Sequence, residues 1–343
     1  MAGVADTFPE SLPTFQRMFP DDRACALYLE SVRWRDGFAC PRCQSTAEPM
    51  RLGRPQLLRC RSCKRDISLL AGTVMERTHT PLTTWFWAAY LVSSLTPGMS
   101  AVQLQRQLGL TRYETAFQIL HKLRGSMVRN GRDRIGGRGK EHVEIDETWV
   151  GGVTRGKGHG VHDQTCVIGA VEVRQRVAAE PKPNEHSKAK PRRGGRYAGR
   201  LRLSVIPDRT QKSCGGFVEG SVEPATWMVV TDGHQGYAGL AKRGYQHLAV
   251  PERGEPEVAE DYLPIIHLVF SNLKAWINGT HHGVSADHLQ AYLNEFTFRF
   301  NRRFFPHNSF RSLLGLAVTH ETTTYDELYS DDHEHPGFTT GGA

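Results

Sequence analysis

The spacing of apolar residues changes character along this chain. From 12 to 31 they recur at helical intervals, with Phe15, Met18, Phe19, Cys25, Leu27, Tyr28 and Leu29 on one side and a break at Pro20. Thr80-Pro81 then supplies an N-cap and a first helical position, and the pattern runs through 85–95 until Pro97-Gly98 stops it. Ser100 with Gln103, and Thr111 with Glu114, each have the spacing of a capping box. They predict two short helices, about 101–108 and 112–126, on either side of Leu108-Gly109-Leu110, sharing an apolar side of Leu104, Leu108, Phe117, Leu120 and Leu123. Two helices around a glycine turn make a helix-turn-helix, in which Arg112, Tyr113, Gln118 and Lys122 would face outward toward DNA. An ordinary helical hairpin would use the same letters.

Beyond a Gly- and Arg-rich linker at 131–140 the period shortens to that of strands, at 143–150, 165–173, 201–206 and 227–231. A further helix is predicted over 265–278, with Leu268, Val269, Leu273 and Trp276 apolar. The expected fold class is α/β: a mixed sheet with flanking helices, preceded by a small helical domain and a cysteine-bearing N-terminal region. The expected divisions are 1–70, 71–138, 139–319 and 320–343. Within the third, the stretch 175–200 is so rich in Lys and Arg that it reads as a flexible basic insertion, either a DNA clamp or a solubilising loop.

Composition narrows the class of protein. With 343 residues, 39% of them hydrophobic, the chain can bury a core in two or three domains. No apolar run reaches membrane-spanning length, and a start containing Asp6 and Glu10 lacks the basic and apolar parts of a signal peptide. A cytoplasmic, nucleoid-associated protein with no membrane partner is expected. The net charge is +7, and the segment 320–343 contributes six acids and no Lys or Arg, which leaves +13 on the remainder. Such an excess favours a polyanion, most simply nucleic acid.

Four of the seven cysteines fall as Cys40-Pro-Arg-Cys43 and Cys60-Arg-Ser-Cys63, with sixteen residues between. Two tight turns that each present two thiolates suit tetrahedral zinc, and four filled positions make the site structural. The residues between, with Gly53 and Pro55, suggest a short hairpin of the zinc-ribbon kind. Arg42, Arg51, Arg54, Arg59, Arg61, Lys64 and Arg65 surround it as a DNA contact or a solvated face. Cys166 and Cys214 read as packing residues.

Two predicted strands end on an acid. Asp146 closes one apolar-alternating run and Asp232 another, and two carboxylates at ends of central strands could share divalent cations, as two-metal phosphoryl transfer requires. On the helix that follows, His267 and Lys274 lie seven residues apart and so on one face, while Asn272 is rotated roughly 140° from His267. That makes His267 a third ligand and Lys274 a phosphate or DNA contact. Further on, Glu295, Arg299 and Arg302 are spaced by four and three and share a helical face, with Glu295 as a brace and the arginines as DNA contacts.

Five stretches carry a more specific likeness: Asp146-Glu-Thr-Trp-Val-Gly-Gly152, Thr231-Asp-Gly-His-Gln-Gly-Tyr237, Ser271-Asn-Leu-Lys-Ala-Trp276, Gly279-Thr-His-His-Gly-Val284 and Tyr292-Leu-Asn-Glu-Phe-Thr-Phe-Arg-Phe-Asn-Arg-Arg303. They resemble the DDE transposases of bacterial insertion sequences, in the group with an N-terminal zinc ribbon. The resemblance implies an RNase H-like catalytic domain with Asp146 and Asp232 as the first two acidic residues. Where that family has Glu seven residues before a Lys, this chain has His267. Imidazole is softer and neutral, so it should weaken Mg²⁺ and favour Mn²⁺. Asn272, Glu260, Asp261 and Glu147 are the alternatives for completing the site. The implied function is binding of double-stranded transposon ends and target DNA, with metal-dependent strand cleavage and transfer by a homodimer or larger assembly. The rivals are a non-catalytic DNA-binding regulator and an RNase H-like nuclease or resolvase.

Overall fold

The computed structural model describes residues 8–128, 131–137, 139, 141–151, 164–177, 195–250, 262–305 and 307–319. Most of the expected basic insertion, the whole acidic tail, Glu260 and Asp261 lie outside these residues. In chain order the helices and strands are α1 (Leu12–Met18), α2 (Asp22–Arg33), β1 (Met50–Arg51), β2 (Leu57–Arg59), β3 (Asp66–Ser68), α3 (Leu82–Ser94), α4 (Ala101–Leu108) and α5 (Tyr113–Ser126). There follow β4 (His142–Gly151), β5 (Gln164–Arg176), β6 (Gly195–Val205), α6 (Gln211–Ser221), β7 (Met228–Thr231), β8 (His247–Ala249), α7 (Pro264–Trp276), α8 (Ala286–Arg302) and α9 (His307–Ala317). The described residues fall into two compact units, one drawn from 8–128 and 302–319, the other from those between 131 and 301.

In the first unit the expected break at Pro20 separates α1 from α2, and Asp21 restarts the chain by accepting the Ala24 amide at 2.8 Å. Leu27 departs from the expected apolar face and is exposed, whereas Phe15, Cys25, Tyr28 and Leu29 are buried. α3 does not begin on a Thr80 cap. Pro81 holds the cap position, and the Thr83 amide and hydroxyl are taken by Asp22 Oδ1 at 2.9 and 3.0 Å, so a carboxylate distant in sequence does a cap's work. Ser100 caps α4 as expected, accepting from the Gln103 amide at 3.2 Å, and Gly109 closes that helix at φ +61°. The Thr111 capping box does not form, since Arg112 is the cap of α5 and makes no side-chain bond there. The helix α9 packs in this unit too. Its Phe310 lies in a ring cluster with Phe15, Phe19, Tyr28, Phe86 and Tyr90, at centroid distances of 5.6 to 6.3 Å.

The second unit is a five-stranded mixed sheet in the order β6-β5-β4-β7-β8, consistent with an RNase H-like domain. The strands β6, β5 and β4 pair antiparallel, and β7 and β8 continue in parallel. Period two sorts the side chains: Val143, Ile145 and Ile168 pack with Phe217 and Val218 of α6, while Val167 and Val171 pack with Ile266, Val269, Phe270 and Leu273 of α7. Leu268 is off that stripe and 59% exposed, so the expected apolar face of α7 is narrower than the sequence suggests. Neither α6 nor β8 was expected. β6 starts before 201, because Arg196, Tyr197 and Ala198 still pair with β5 despite their polar setting. Along its outer side the Leu201 amide donates to Asn301 Oδ1 at 2.7 Å, Asn301 Nδ2 donates to the Leu201 carbonyl at 3.1 Å, and the Val205 amide donates to Gln290 Oε1 at 2.9 Å.

Two details set the height of α7 over the sheet. Gly169, paired with Asp146, lacks a Cβ where one would stand 2.9 Å from a Phe270 ring atom and 3.0 Å from the Ile266 and Leu203 methyls. The buried Glu144 carboxylate accepts the Ile265 and Ile266 amides, both at 2.8 Å, and so pins the positive end of α7 to β4. Gly169→Ala should therefore overpack this contact and destabilise the unit by about 1 to 3 kcal/mol. Urea denaturation followed by circular dichroism measures it, and an unmoved midpoint would refute the close approach.

Candidate functional site

In the first unit, the turns before β1 and between β2 and β3 bring four thiols together. Cys40 and Cys63 have their Sγ atoms 3.9 Å apart, and Cys43 and Cys60 3.7 Å apart. Zinc with sulfur at about 2.3 Å sets tetrahedral neighbours about 3.8 Å apart, so the thiols fit it. The two turns are copies of one another. Gln44 and Lys64 both have φ 58°, their amides donate to the Cys40 and Cys60 carbonyls at 2.9 and 3.0 Å, and the Cys40 and Cys60 amides donate to Ser45 and Arg65 carbonyls at 3.0 Å. The Cys63 amide, ahead of any other influence, pulls the Cys60 thiol down to about 6. At Cys60 the backbone thus favours the thiolate that a metal needs, whereas at Cys43 the neighbouring thiols outweigh the backbone and push the thiol up.

In the second unit, Asp146 is not at the end of its strand, as expected, but in its middle: β4 stays paired with β5 to Gly151. What ends there is the pairing on the other side. The parallel register sets His142, Val143 and Glu144 against Met228, Val229 and Val230, and β7 stops at Thr231. Carried on by two residues, that register brings Asp232 level with Asp146, just where the sheet parts. Glu147 joins them, and one carboxylate oxygen from each of Asp146, Glu147 and Asp232 lies within 4.8 Å of the others.

α7 then delivers His267, whose Nε2 is 3.1 Å from Asp146 Oδ2. That separation is close to the roughly 3 Å between neighbouring ligands of a six-coordinate ion with bonds of about 2.1 Å. Lys274 is exposed about two turns further along the helix, and Asn272 is exposed as well. The other Asp146 oxygen accepts the Glu147 amide at 2.8 Å, and Asp232 Oδ1 accepts the His234 amide at 2.9 Å. Oxygen-rich donors with one imidazole suit Mg²⁺ or, better, Mn²⁺.

Arg209 is the group that sequence reasoning missed. Its Nη2 donates to Glu147 Oε2 at 2.9 Å and reaches Asp232 Oδ2 at 3.4 Å. It sits in the turn before α6, where Asp208 Oδ1 accepts from the Thr210 amide and hydroxyl and from the Ser213 hydroxyl at 3.0, 2.7 and 2.6 Å. One arginine in a loop has no periodicity to mark it. Burial pulls its pKa down, but the Glu147 hydrogen bond and the charges of Glu147 and Asp232 outweigh that and leave it above the ordinary value. Burial first, and then the Glu147 charge, push Cys214 and Tyr237 up, so both stay protonated at neutral pH. Cys214, expected to be a packing residue, is buried and also donates to Glu147 Oε1 at 3.4 Å.

Both sites coincide with family matches: a model described as ISXO2-like transposase domain matches residues 138–301, and one described as transposase zinc-ribbon domain matches 20–66. The chain belongs to the zinc-ribbon insertion-sequence transposases. It is 26% identical over 297 residues to a Halobacterium salinarum protein named "Uncharacterized protein in transposable element ISH50", covering 82% of this chain and 92% of that one. No solved structure matches it significantly. Among the described residues of this transposase, no helix is long and apolar enough to cross a membrane.

The transposase's other expected contacts are placed unevenly. On α5, Arg112 and Tyr113 are exposed, whereas Gln118 and Lys122 are half-buried, and burial lowers the Lys122 pKa against the opposing charge of Glu76. Around the ribbon, Arg51 pairs with Glu30 and Arg59 with Asp66, while Arg42, Arg54, Lys64 and Arg65 are exposed. On α8 the buried Glu295 accepts from Arg299 at 3.5 Å, and Arg299, expected as a DNA contact, is largely covered and lies 6.0 Å from the Trp276 ring centre. Arg302 is half-buried. The purified transposase should carry one zinc per chain by elemental analysis, and Cys40→Ser or Cys60→Ser should lose it. Full zinc retention in both variants would refute the four-thiol assignment.

Proposed function

We propose that this transposase cuts the ends of an insertion sequence and joins them to target DNA at a divalent-cation site formed by Asp146, Asp232 and His267. The observation that carries the reading is the parallel register of β4 and β7, which sets two carboxylates side by side, with an imidazole 3.1 Å from one of them. Two divalent cations shared by Asp146 and Asp232 would supply the chemistry, one activating water for in-line attack and the other stabilising the leaving 3′-oxygen, after which the freed 3′-hydroxyl attacks target DNA. His267 serves as a ligand in its neutral form, with Nε2 turned to the site, and its softness tilts the preference from Mg²⁺ toward Mn²⁺. Asp146 and Asp232 each keep one oxygen on a backbone amide, which fixes the carboxylate planes before DNA arrives. Lys274, exposed on the same helix, contacts a phosphate of the bound DNA in this reading. The zinc ribbon and the open first turn of α5, with Arg112 and Tyr113, supply binding to the element's ends. Because two ends must be joined together, the working form is a dimer or larger on DNA, and the place of work is the cytoplasm, on the nucleoid.

With a labelled element-end duplex in Mg²⁺ or Mn²⁺, Asp146→Asn and Asp232→Asn should each lower donor-end cleavage by a hundredfold or more, on the order of removing a transition-state charge stabiliser. Intact cleavage in either would overturn the metal assignment. His267→Ala should be impaired in both ions, and His267→Glu should shift the preference toward Mg²⁺. Strand-transfer products separate a transposase from a nuclease that cuts without joining, and a mobility shift without any cleavage would favour a DNA-binding regulator.

A further inference from the structure

The two aspartates of the site are dressed alike. Each has Oδ1 on a backbone amide, Glu147 for Asp146 and His234 for Asp232, and each has Oδ2 facing a side chain brought from another element. On Asp146 that side chain is His267, at 3.1 Å, and on Asp232 it is Arg209, at 3.4 Å. Chemically the two partners are opposites. Imidazole can offer a lone pair to a metal ion, whereas guanidinium has N–H donors only and keeps its charge, so beside a cation site it stands where a cation would stand.

Arg209 is held more firmly by its other partner. Glu147 has a side chain 2% exposed against 34% for Arg209, and it receives the shorter hydrogen bond, 2.9 Å. A carboxylate so deeply buried needs a cation beside it, and Arg209 is that cation. Cys214 donates to the second Glu147 oxygen, so both Glu147 oxygens already have a protein donor, although one of them lies within 4.8 Å of oxygens of Asp146 and Asp232. The Asp208 hydrogen bonds to Thr210 and Ser213 hold the turn that carries the arginine. Of the two contacts Arg209 makes, the long one to Asp232 is the one able to give.

We infer that Arg209 is a resident cation of the carboxylate site: it covers Asp232 Oδ2, pivots on Glu147, and yields that oxygen when a divalent cation binds. Glu147 is then a positioning residue for Arg209 and not a metal ligand. Arg209 lowers divalent-cation affinity while keeping the carboxylates apart from mutual repulsion. The inference rests on the reading of Asp146 and Asp232 as cation ligands.

Mn²⁺ binding to the full-length, zinc-loaded protein without DNA, followed by the electron paramagnetic resonance of free Mn²⁺, tests it. Four proteins are compared with wild type: Asp232→Asn, Arg209→Gln, Glu147→Gln, and the double variant Arg209→Gln/Glu147→Gln, which removes both charges and leaves no buried carboxylate unpaired. Asp232→Asn should lose binding. Arg209→Gln and the double variant should both bind Mn²⁺ about tenfold tighter than wild type, as expected for removing one like charge a few ångströms away. Glu147→Gln alone should bind more weakly than wild type, because Arg209 then turns wholly to Asp232. Unchanged or weaker affinity in both Arg209 variants would overturn the inference. So would a gain in Arg209→Gln that vanishes in the double variant, since that would make Glu147 a ligand. If Asp232→Asn binds as wild type does, the cation reading itself fails and this inference with it; if Asp232→Asn loses binding and the Arg209 variants gain nothing, only the inference fails.

Discussion

The site depends on where one pair of strands stops pairing. β7 keeps a parallel register with β4 only as far as Val230 opposite Glu144, and β4 continues beyond on the support of β5 alone. Parallel pairing leaves no freedom of phase: a slip of one residue would turn Asp232 to the other face of the sheet. The carboxylates therefore meet through backbone hydrogen bonds made several residues earlier, in the apolar stretch Val229-Val230, and not through any attraction of their own. Two anions side by side repel, so a rigid frame has to impose the arrangement.

The third side chain depends on a second close fit. α7 approaches the sheet at Gly169, the partner of Asp146, and its first amides are held by Glu144, two residues before Asp146 on the same face. One strand thus carries both the first carboxylate and the anchor of the helix that brings His267 to it. Glu144 is wholly buried, and such a group is stable because helix amides satisfy it.

Much of this was legible in the sequence, for physical reasons that can be named. The paired cysteines and the apolar runs before Asp146 and Asp232 are local patterns with strict geometry, and they led to the thiol cluster and to two carboxylates at one place. His267 followed from helix periodicity. The strand-end reading of Asp146 failed because pairing can end on one side of a strand and continue on the other, which a single run of letters does not record. Thr80 and Thr111 failed as caps because the helices start one residue later, leaving Pro81 and Arg112 at the cap positions, and at α3 the carboxylate of Asp22 came from another helix. Arg209, Glu144 and the return of Phe310 to the N-terminal rings are contacts between residues far apart in the chain, and no local period announces them.

The outer side of β6 is partly occupied by side chains of its own chain. An edge strand normally presents a row of backbone donors and acceptors on which another strand can build. Here Asn301 occupies both groups of Leu201, and Gln290 occupies the Val205 amide. Two side chains of one helix thereby imitate the next strand of the sheet. At Leu201 and Val205 those backbone groups are therefore closed to a strand from another molecule.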